Sequence, residues 1–372
     1  MRIAIDAHAV GTKLAGNETY IANLIEALAE VDRENRYTLY VTKRQAIERF
    51  EGRWPNFSLR RTLPHTPIIR IPLSFVLELK RRPVDLLHVQ FTAPPFAPCP
   101  IVVTVHDLAF EHLPETFHRR SWMQLRLTVR WTVRRAARII VPSEYTRRDL
   151  IETYGIESER IAVTPLAAAP HFAPIEDERR LWRVRKRYGI AGDYVLAVGS
   201  IQPRKNLRRL FDAYLRLQRK GRQAMLPQLV IVGKRAWLYE ETMRAAERLG
   251  EAVIFTGYVP EEDLPALYAG ARCFVYPSYF EGFGLPPLEA MQCGTPVIVG
   301  NRTSLPEVVG DAALTVDPFD ETELAEALQR LIEDERLRAE LSRRGIERAR
   351  RFSWQKTARL TLDAYKRALE GR

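Results

Sequence analysis

The chain's pattern predicts two successive α/β domains, each a parallel sheet wrapped by helices, and three observations carry that prediction. Short apolar runs alternate with helical stretches along most of the sequence, and strands buried on both faces of a parallel sheet read as such runs. The alternation is interrupted once, between Ala167 and Ile190. At 372 residues the chain is also too long for one ordinary core.

Taken in order, the strand-like runs of the first domain are Ile3–Ala7, Tyr37–Thr42, Leu86–Gln90, Ile101–His106, Arg138–Pro142 and Ile161–Leu166. Helical patterns fall between them, including Tyr20–Ala29, Trp122–Ala137 and Glu144–Tyr154. The interruption carries an Ala-Ala-Ala-Pro-His-Phe-Ala-Pro segment, an acidic turn and a basic helix, and reads as the interdomain connection. A second series follows at Tyr194–Gly199, Leu229–Gly233, Val253–Thr256, Cys273–Tyr276, Pro296–Val299 and Ala313–Val316. The domains are therefore expected at residues 1–170 and 190–354. The helical stretch beyond them, 355–372, is long enough to reach back over the first domain. Ligands of such doubly wound sheets bind beyond the carboxyl ends of the strands. Two Rossmann-like domains facing each other would put both sets of strand ends in one deep cleft.

Composition narrows the function classes. Hydrophobic residues make up 46% and charged residues 28%, and no eighteen-residue apolar run is present. No apolar leader precedes the first strand. Cys99, Cys273 and Cys293 are widely spaced and match neither a disulfide framework nor a zinc pattern. A cytoplasmic location is expected. The net charge of +11 raises the question of an anionic partner. Between Arg119 and Arg148 nine arginines face the single acid Glu144, with Trp122 and Trp131 interleaved. That stretch fits a membrane-surface helix and equally an ordinary surface helix with snorkelling arginine stems.

Four strand-end loops carry chemistry. The most telling is Glu281-Gly-Phe-Gly-Leu-Pro-Pro-Leu-Glu289, which follows an apolar run and leads into a helix opened by Pro286 and Pro287. The N–H groups of Phe283, Gly284 and Leu285 would then point from a helix N-terminus, where phosphate is readily held. An acid on each side of a phosphate cradle fits a ligand that is both phosphorylated and polyhydroxylated, as a nucleotide-sugar is. The same Gly-Phe-Gly could be a plain tight turn. In Gly199-Ser-Ile-Gln-Pro-Arg204-Lys205-Asn206, two cations precede a helix. They oppose its dipole unless an anion binds there, and arginine and lysine are phosphate ligands. His106-Asp107 ends an apolar strand, with structural and functional readings evenly matched. The loop from Val10 to Glu18 places Gly16 before a helix expected near Thr19; without a GxGxxG pattern it is a weak dinucleotide signal.

Together, Arg204-Lys205-Asn206, Gly257-Tyr258-Val259-Pro260, the Glu281–Glu289 segment and Gly294-Thr-Pro-Val-Ile298 resemble the retaining glycosyltransferases of the GT-B fold, family 4. The N-terminal glycine loop, His106-Asp107 and Val141-Pro-Ser-Glu144 are similar to that family's acceptor domain, so the resemblance covers essentially the whole chain. It implies that Arg204 and Lys205 grip the donor diphosphate, with the Gly16 loop closing over it. It further implies that the N–H groups of Phe283, Gly284 and Leu285 hold the distal phosphate, that Glu289 accepts from ribose hydroxyls, and that the turn at Tyr258 and Val259 receives the base. Glu281 would bind hydroxyls of the transferred sugar, and His106 would sit beside that sugar near the acceptor. These last two are the expected catalytic residues. The sequence departs from the family at Ser200, where an arginine is frequent, and at Asn17-Glu18. Glu18 is expected to point towards acceptor or solvent.

The expected activity is transfer of a hexose, mannose or glucose as first trials, to a carbohydrate or lipid-linked glycan. No cofactor and no metal are expected, since no Asp-x-Asp is present to hold a divalent ion. Peripheral membrane contact is assigned to Arg119–Arg148, and no nucleic-acid partner is expected. A nucleotide-sugar epimerase of the same fold stays open, as does, further off, a non-catalytic basic module for nucleic acid or membrane.

Overall fold

The computed structural model describes residues 1–12, 15–219 and 226–370, and they divide into two compact units. The first comprises Met1–Pro114, Arg119–Leu166 and Ser353–Arg372; the second comprises Glu115–His118 and Ala167–Phe352.

The first unit is built on seven strands: β1 (Arg2–Asp6), β2 (Arg36–Val41), β3 (Phe57–Arg61), β4 (Leu86–Gln90), β5 (Ile101–Thr104), β6 (Arg138–Val141) and β7 (Ile161–Val163). They pair in the order β3-β2-β1-β4-β5-β6-β7, every pairing parallel. The chain works outwards from β1 on one side, then returns to β4 and works outwards on the other. The order therefore reverses between β1 and β4, and there the loops leaving the two strands diverge and open a crevice. The helix Ala15–Val31 follows β1 and starts earlier than the Thr19 expected from sequence, so Gly16 lies in its first turn. Lys13 and Leu14 of the same loop lie outside the described residues. Edge strand β3 was not legible, because exposed Ser58, Arg60 and Arg61 break up its apolar run.

The helix Trp354–Glu370 belongs to this first unit. It packs along Ala15–Val31 and against β5, β6 and β7, burying Trp354, Ala358, Thr361, Tyr365 and Ala368. Burial of Trp354 and Tyr365, each worth about 1.5–3 kcal/mol on the scale of a large apolar side chain, fixes this helix in place. The helix Arg119–Arg135 buries Val129, Thr132 and Val133 and exposes Met123 and Leu127. Two of its arginines lie over its own tryptophans, Arg126 over Trp122 and Arg135 over Trp131. Arginine stems covering indole rings are part of the ordinary surface-helix reading.

The second unit has β8 (Tyr194–Val198), β9 (Gln228–Val232), β10 (Val253–Gly257), β11 (Cys273–Tyr276), β12 (Val297–Gly300) and β13 (Leu314–Val316), again all parallel, in the order β10-β9-β8-β11-β12-β13. Its reversal lies between β8 and β11. The core joins the sheet (Val195, Leu229, Ile231, Val275) to the amphipathic helix Leu207–Leu217 and to Glu321–Glu333. Gly233, just past β9, must lack a side chain: a Cβ there would stand 2.0 Å from the carbonyl oxygen of Gly199. No described helix is long and apolar enough to cross a membrane.

Candidate active site

In the second unit the loops leaving β8 and β11 are neighbours because those strands flank the reversal. The β8 loop ends in a single turn of 3-10 helix, Pro203–Lys205, before the helix Leu207–Leu217. Between them Asn206 takes a left-handed conformation, and its side-chain amide donates to the carbonyls of Pro277 (3.1 Å) and Pro318 (2.6 Å). Asparagine tolerates that backbone, and the two bonds tie the cationic turn to the loops after β11 and β13. Lys205 and Arg204 are thereby aimed at Glu281.

The result is a charge cluster of two half-buried cations on a buried acid. Lys205 Nζ donates to Glu281 Oε1 at 2.5 Å and also to the Tyr276 hydroxyl, lying 4.7 Å above the Tyr276 ring. Arg204 Nη1 donates to the carbonyl of Phe280 at 3.1 Å and stands 3.6 Å from Glu281 Oε2. Ser278 Oγ donates to Glu281 Oε1 at 2.6 Å. Burial by itself would raise the Glu281 carboxyl, but Lys205, Arg204 and the Ser278 hydroxyl outweigh it and bring its pKa down to about 2. Glu281 is thus ionised throughout the neutral range. The two cations ahead of the helix already have an anion, and the protein supplies it.

Eight residues on, Glu289 is equally buried and behaves in the opposite way. Its Oε2 accepts from the Tyr268 hydroxyl at 2.8 Å, and no cation is among the causes of its shift. Burial dominates and is only partly offset by Tyr268, while Glu261 adds like charge, so its pKa is pushed up to about 7. The linking segment is shaped by Gly284, whose φ of 105° and separation of 2.7 Å from a built Cβ to Leu305 Cδ2 leave no room for a side chain. The helix Leu285–Gln292 starts one residue before its prolines. Pro286 and Pro287 remove two donors of its first turn, so the donors here are fewer than a general helix N-terminus offers. Among the described residues the N–H groups of Phe283 and Gly284 take no hydrogen bond. The Phe283 ring is buried edge-on to Phe352.

At the end of β10, Tyr258 is half exposed beneath Lys234, whose Nζ is 4.7 Å above the ring, whereas Val259 is buried. Of the two, Tyr258 offers the side-chain surface. Among the described residues, no group of three or more His, Cys, Asp or Glu side chains is placed to hold a metal ion.

His106 belongs to the first unit, two residues past β5, where the β1/β4 reversal opens. Its Nε2 is 2.9 Å from Gln90 Oε1 at the end of β4, and its ring meets Tyr20 edge-on at 4.7 Å. Burial lowers its pKa to about 4, only slightly countered by Asp107, so the imidazole is neutral. Asp107 is turned away to accept the Ala109 N–H at 3.0 Å. Beneath lies a buried polar chain: Tyr365 hydroxyl to His88 Nδ1 (2.6 Å), His88 Nε2 to Thr104 Oγ1 (2.7 Å), and Thr104 to the Tyr20 hydroxyl (2.8 Å). Gly16 is exposed. Glu18 is half-buried, and its Oε1 accepts the N–H of Gly11 at 2.7 Å and closes the β1 loop.

Sequence reading did not single out Tyr276, Ser278, Tyr268 and Gln90, which hold the charged and imidazole groups, or Lys234, which covers the Tyr258 ring. Tyr276 and Gln90 are each the last residue of a strand flanking a reversal, which is the signal that would have found them.

Comparison with known proteins agrees with this geometry. The model of glycosyltransferase family 4 matches residues 14–171, and that of glycosyl transferases group 1 matches residues 182–350. The O-antigen chain mannosyltransferase B of Escherichia coli is 37% identical over 268 residues, covering 71% of this chain and 70% of that protein. Sucrose-phosphate synthase from Thermosynechococcus elongatus superposes with a TM-score of 0.80 at 21% identity, covering all of both chains. HepE from Anabaena, solved in complex with UDP and glucose, gives 0.76 at 21% identity over 98% of this chain and 99% of that one. The chain has the GT-B fold and belongs to glycosyltransferase family 4; it is a glycosyltransferase.

Proposed function

We infer that the enzyme transfers a hexose from a nucleoside diphosphate donor to a glycan acceptor with retention of anomeric configuration, mannose being the first sugar to try. The observation that carries this reading is the Arg204–Lys205–Glu281 cluster at the β8/β11 reversal. The mannosyltransferase relative and the UDP-bound neighbour support the choice of sugar and donor class.

In this reading the diphosphate takes over Lys205 and Arg204, with the N–H groups of Phe283, Gly284 and Leu285 on the distal phosphate and Gly16 over it. Tyr258 and Val259 border the base, and Glu289 accepts from the ribose. The bond between the anomeric carbon and the diphosphate breaks, and the acceptor oxygen bonds to the same face of the sugar. The acceptor proton leaves with the diphosphate, because Glu281 and His106, both depressed, are too weak as bases to take it. Glu281, permanently ionised, accepts hydroxyls of the sugar and favours positive charge on its ring. His106, neutral, lies beside the same sugar. Two fixed cations make a divalent metal unnecessary, so turnover should survive a chelator.

A thermal-shift panel of GDP, UDP, ADP and their sugars tests the donor, since a ligand binding the native state alone raises Tm. No shift from any of them would refute the reading. Peripheral contact with the inner face of a membrane is assigned to Arg119–Arg148, in whose first helix Met123 and Leu127 are exposed among arginines. Sedimentation with anionic and neutral vesicles tests it.

A further inference from the structure

The first sheet lines up polar side chains beside the β1/β4 reversal, and the transferase reading uses only His106 among them. Gln90, the last residue of β4, is in register with Thr104, the last residue of β5, and His88 is in register with Val102. Side chains alternate across a strand, so His88, Gln90, Thr104 and His106 share one face. They meet twice with the same offset. His88 Nε2 lies 2.7 Å from Thr104 Oγ1, and His106 Nε2 lies 2.9 Å from Gln90 Oε1. In each case the partner after or on β5 stands two residues beyond the register.

Two rings brace the His106 imidazole. Tyr20, fully buried, meets it edge-on at 4.7 Å, and Phe91 does so at 5.4 Å. Phe91 reaches that place from a left-handed backbone, φ 58°, which is uncommon for a bulky side chain. Its N–H is held by the Thr104 carbonyl at 2.9 Å. Backbone strain of this kind persists where the surroundings over-determine it, and it clusters at functional sites.

The partner of Nε2 decides where the imidazole keeps its hydrogen. A neutral imidazole has one N–H and one bare nitrogen, and the hydrogen bond at one nitrogen sets the state of the other. An amide oxygen only accepts. Nε2 therefore donates to Gln90 Oε1, and Nδ1 is left with its lone pair. Nδ1 makes no hydrogen bond among the described residues, and it is not among their buried unpartnered atoms, so it is accessible. The titratable groups around the ring are Tyr20 and His88 on the same face and Asp107 next in the chain. Burial outweighs Asp107 and keeps the ring uncharged through the neutral range.

We propose that Gln90 is a positioning residue: it pins the His106 hydrogen on Nε2, so that the bare Nδ1 meets the substrate as the acceptor for a hydroxyl. This rests on the transferase reading and specifies which nitrogen of His106 serves it. The hydroxyl donates a hydrogen bond to Nδ1 and keeps its proton.

The test is long-range proton–nitrogen NMR of the full chain labelled with nitrogen-15 at histidine, with His106→Gln identifying the His106 signals. The wild type should show the hydrogen on Nε2 and a bare Nδ1 at about pH 7. In Gln90→Leu the hydrogen should spread over both nitrogens. Turnover, read as GDP released from GDP-mannose, should then fall about tenfold, the worth of one hydrogen bond, while GDP affinity holds. Gln90→Glu puts a carboxylate against Nε2 and raises the His106 pKa, so that Nδ1 also carries a hydrogen on the acid side. The ratio of its turnover to that of the wild type should climb between about pH 6 and about pH 9.

A hydrogen on Nδ1 in the wild type, as when the amide nitrogen faces the ring, would overturn the proposal. An unchanged tautomer in Gln90→Leu would also overturn it, whatever the turnover, since the amide would then be structural only. Level turnover with a changed tautomer would remove the role of Nδ1. If Gln90→Leu does not fold, a flat ratio in Gln90→Glu decides against the proposal and a climbing one for it. Absence of both GDP release and any nucleotide-induced rise in Tm would sink the donor reading and the hydroxyl contact with it, while the spectra still decide the tautomer.

Discussion

Both sheets reverse their strand order once, and the two reversals are furnished in opposite ways. At β8/β11 the groups are ionic, with Lys205 and Arg204 closed on a Glu281 that stays charged down to about pH 2. At β1/β4 the nearest groups to His106 are an amide, a tyrosine edge and a chain of hydroxyls around His88, and both imidazoles are neutral. The same topology thus makes one crevice that exchanges charge and one that presents uncharged donors and acceptors. A leaving diphosphate needs the first kind. A sugar hydroxyl, which is neutral before and after transfer, needs the second.

The largest effect should come from breaking the ionic side at its acid. Glu281→Gln keeps the shape and the Ser278 contact but removes the charge facing the sugar, and turnover should fall by about a hundredfold or more. Nucleoside diphosphate affinity, measured by calorimetry on the same sample, should hold or rise, because Lys205 and Arg204 lose their internal competitor. Lys205→Ala should act the other way round: it should weaken nucleoside diphosphate binding by at least about tenfold. It should also lower stability by about 3 kcal/mol in chemical denaturation, since a buried carboxylate is left with fewer partners.

The neutral side should break more gently. His88→Phe strands the Tyr365 hydroxyl, at about 1–3 kcal/mol for a group left unsatisfied, while Thr104 keeps its bond to Tyr20. Denaturation should show that loss while nucleoside diphosphate affinity stays at the wild-type value.

The smallest effects are in pH dependence, and the two acids should differ in sign. Glu281 is depressed from 4.5 to about 2, so its stabilisation is complete above pH 4.5 and disappears as pH falls from there towards 2. Glu289 is raised from 4.5 to about 7, so the folded state binds the extra proton. Its ionisation costs stability progressively as pH rises from 4.5 to 7. Melting curves of Glu289→Gln and wild type should therefore coincide near pH 4 and separate by pH 8, with the variant the more stable. A variant that is less stable at pH 8 would reverse the assignment.

The two parallel sheets were legible because buried strands have nowhere to place polar residues, so each appears as an apolar run between helices. Strand β3 was hidden because an edge strand can expose Ser58, Arg60 and Arg61. The segment 67–81 was hidden by Pro64, Pro67 and Pro72, which read as helix breakers although the chain turns through them into a wider helical coil. At the site, residue types identified Arg204, Lys205 and Glu281 as charged groups near strand ends. Their mutual pairing depends on β8 and β11 being neighbours, which is a property of strand order and leaves no mark on either loop. Glu281 and Glu289 look alike in sequence, and what divides them is that cations reach one and a tyrosine reaches the other.

The return of Trp354–Glu370 to the first unit has a consequence for how the protein is made and remade. Both chain ends lie in one unit, and residues 167–352 form a nearly continuous insertion within it. On the ribosome that insertion emerges whole before the helix that covers the first sheet, so the half carrying the charge cluster can fold while the other half waits for the seventeen residues of that helix. The same arrangement makes the insertion a natural cassette for exchange between related enzymes, because a graft cut at Ala167 and Phe352 leaves the host's own terminal helix on its own sheet.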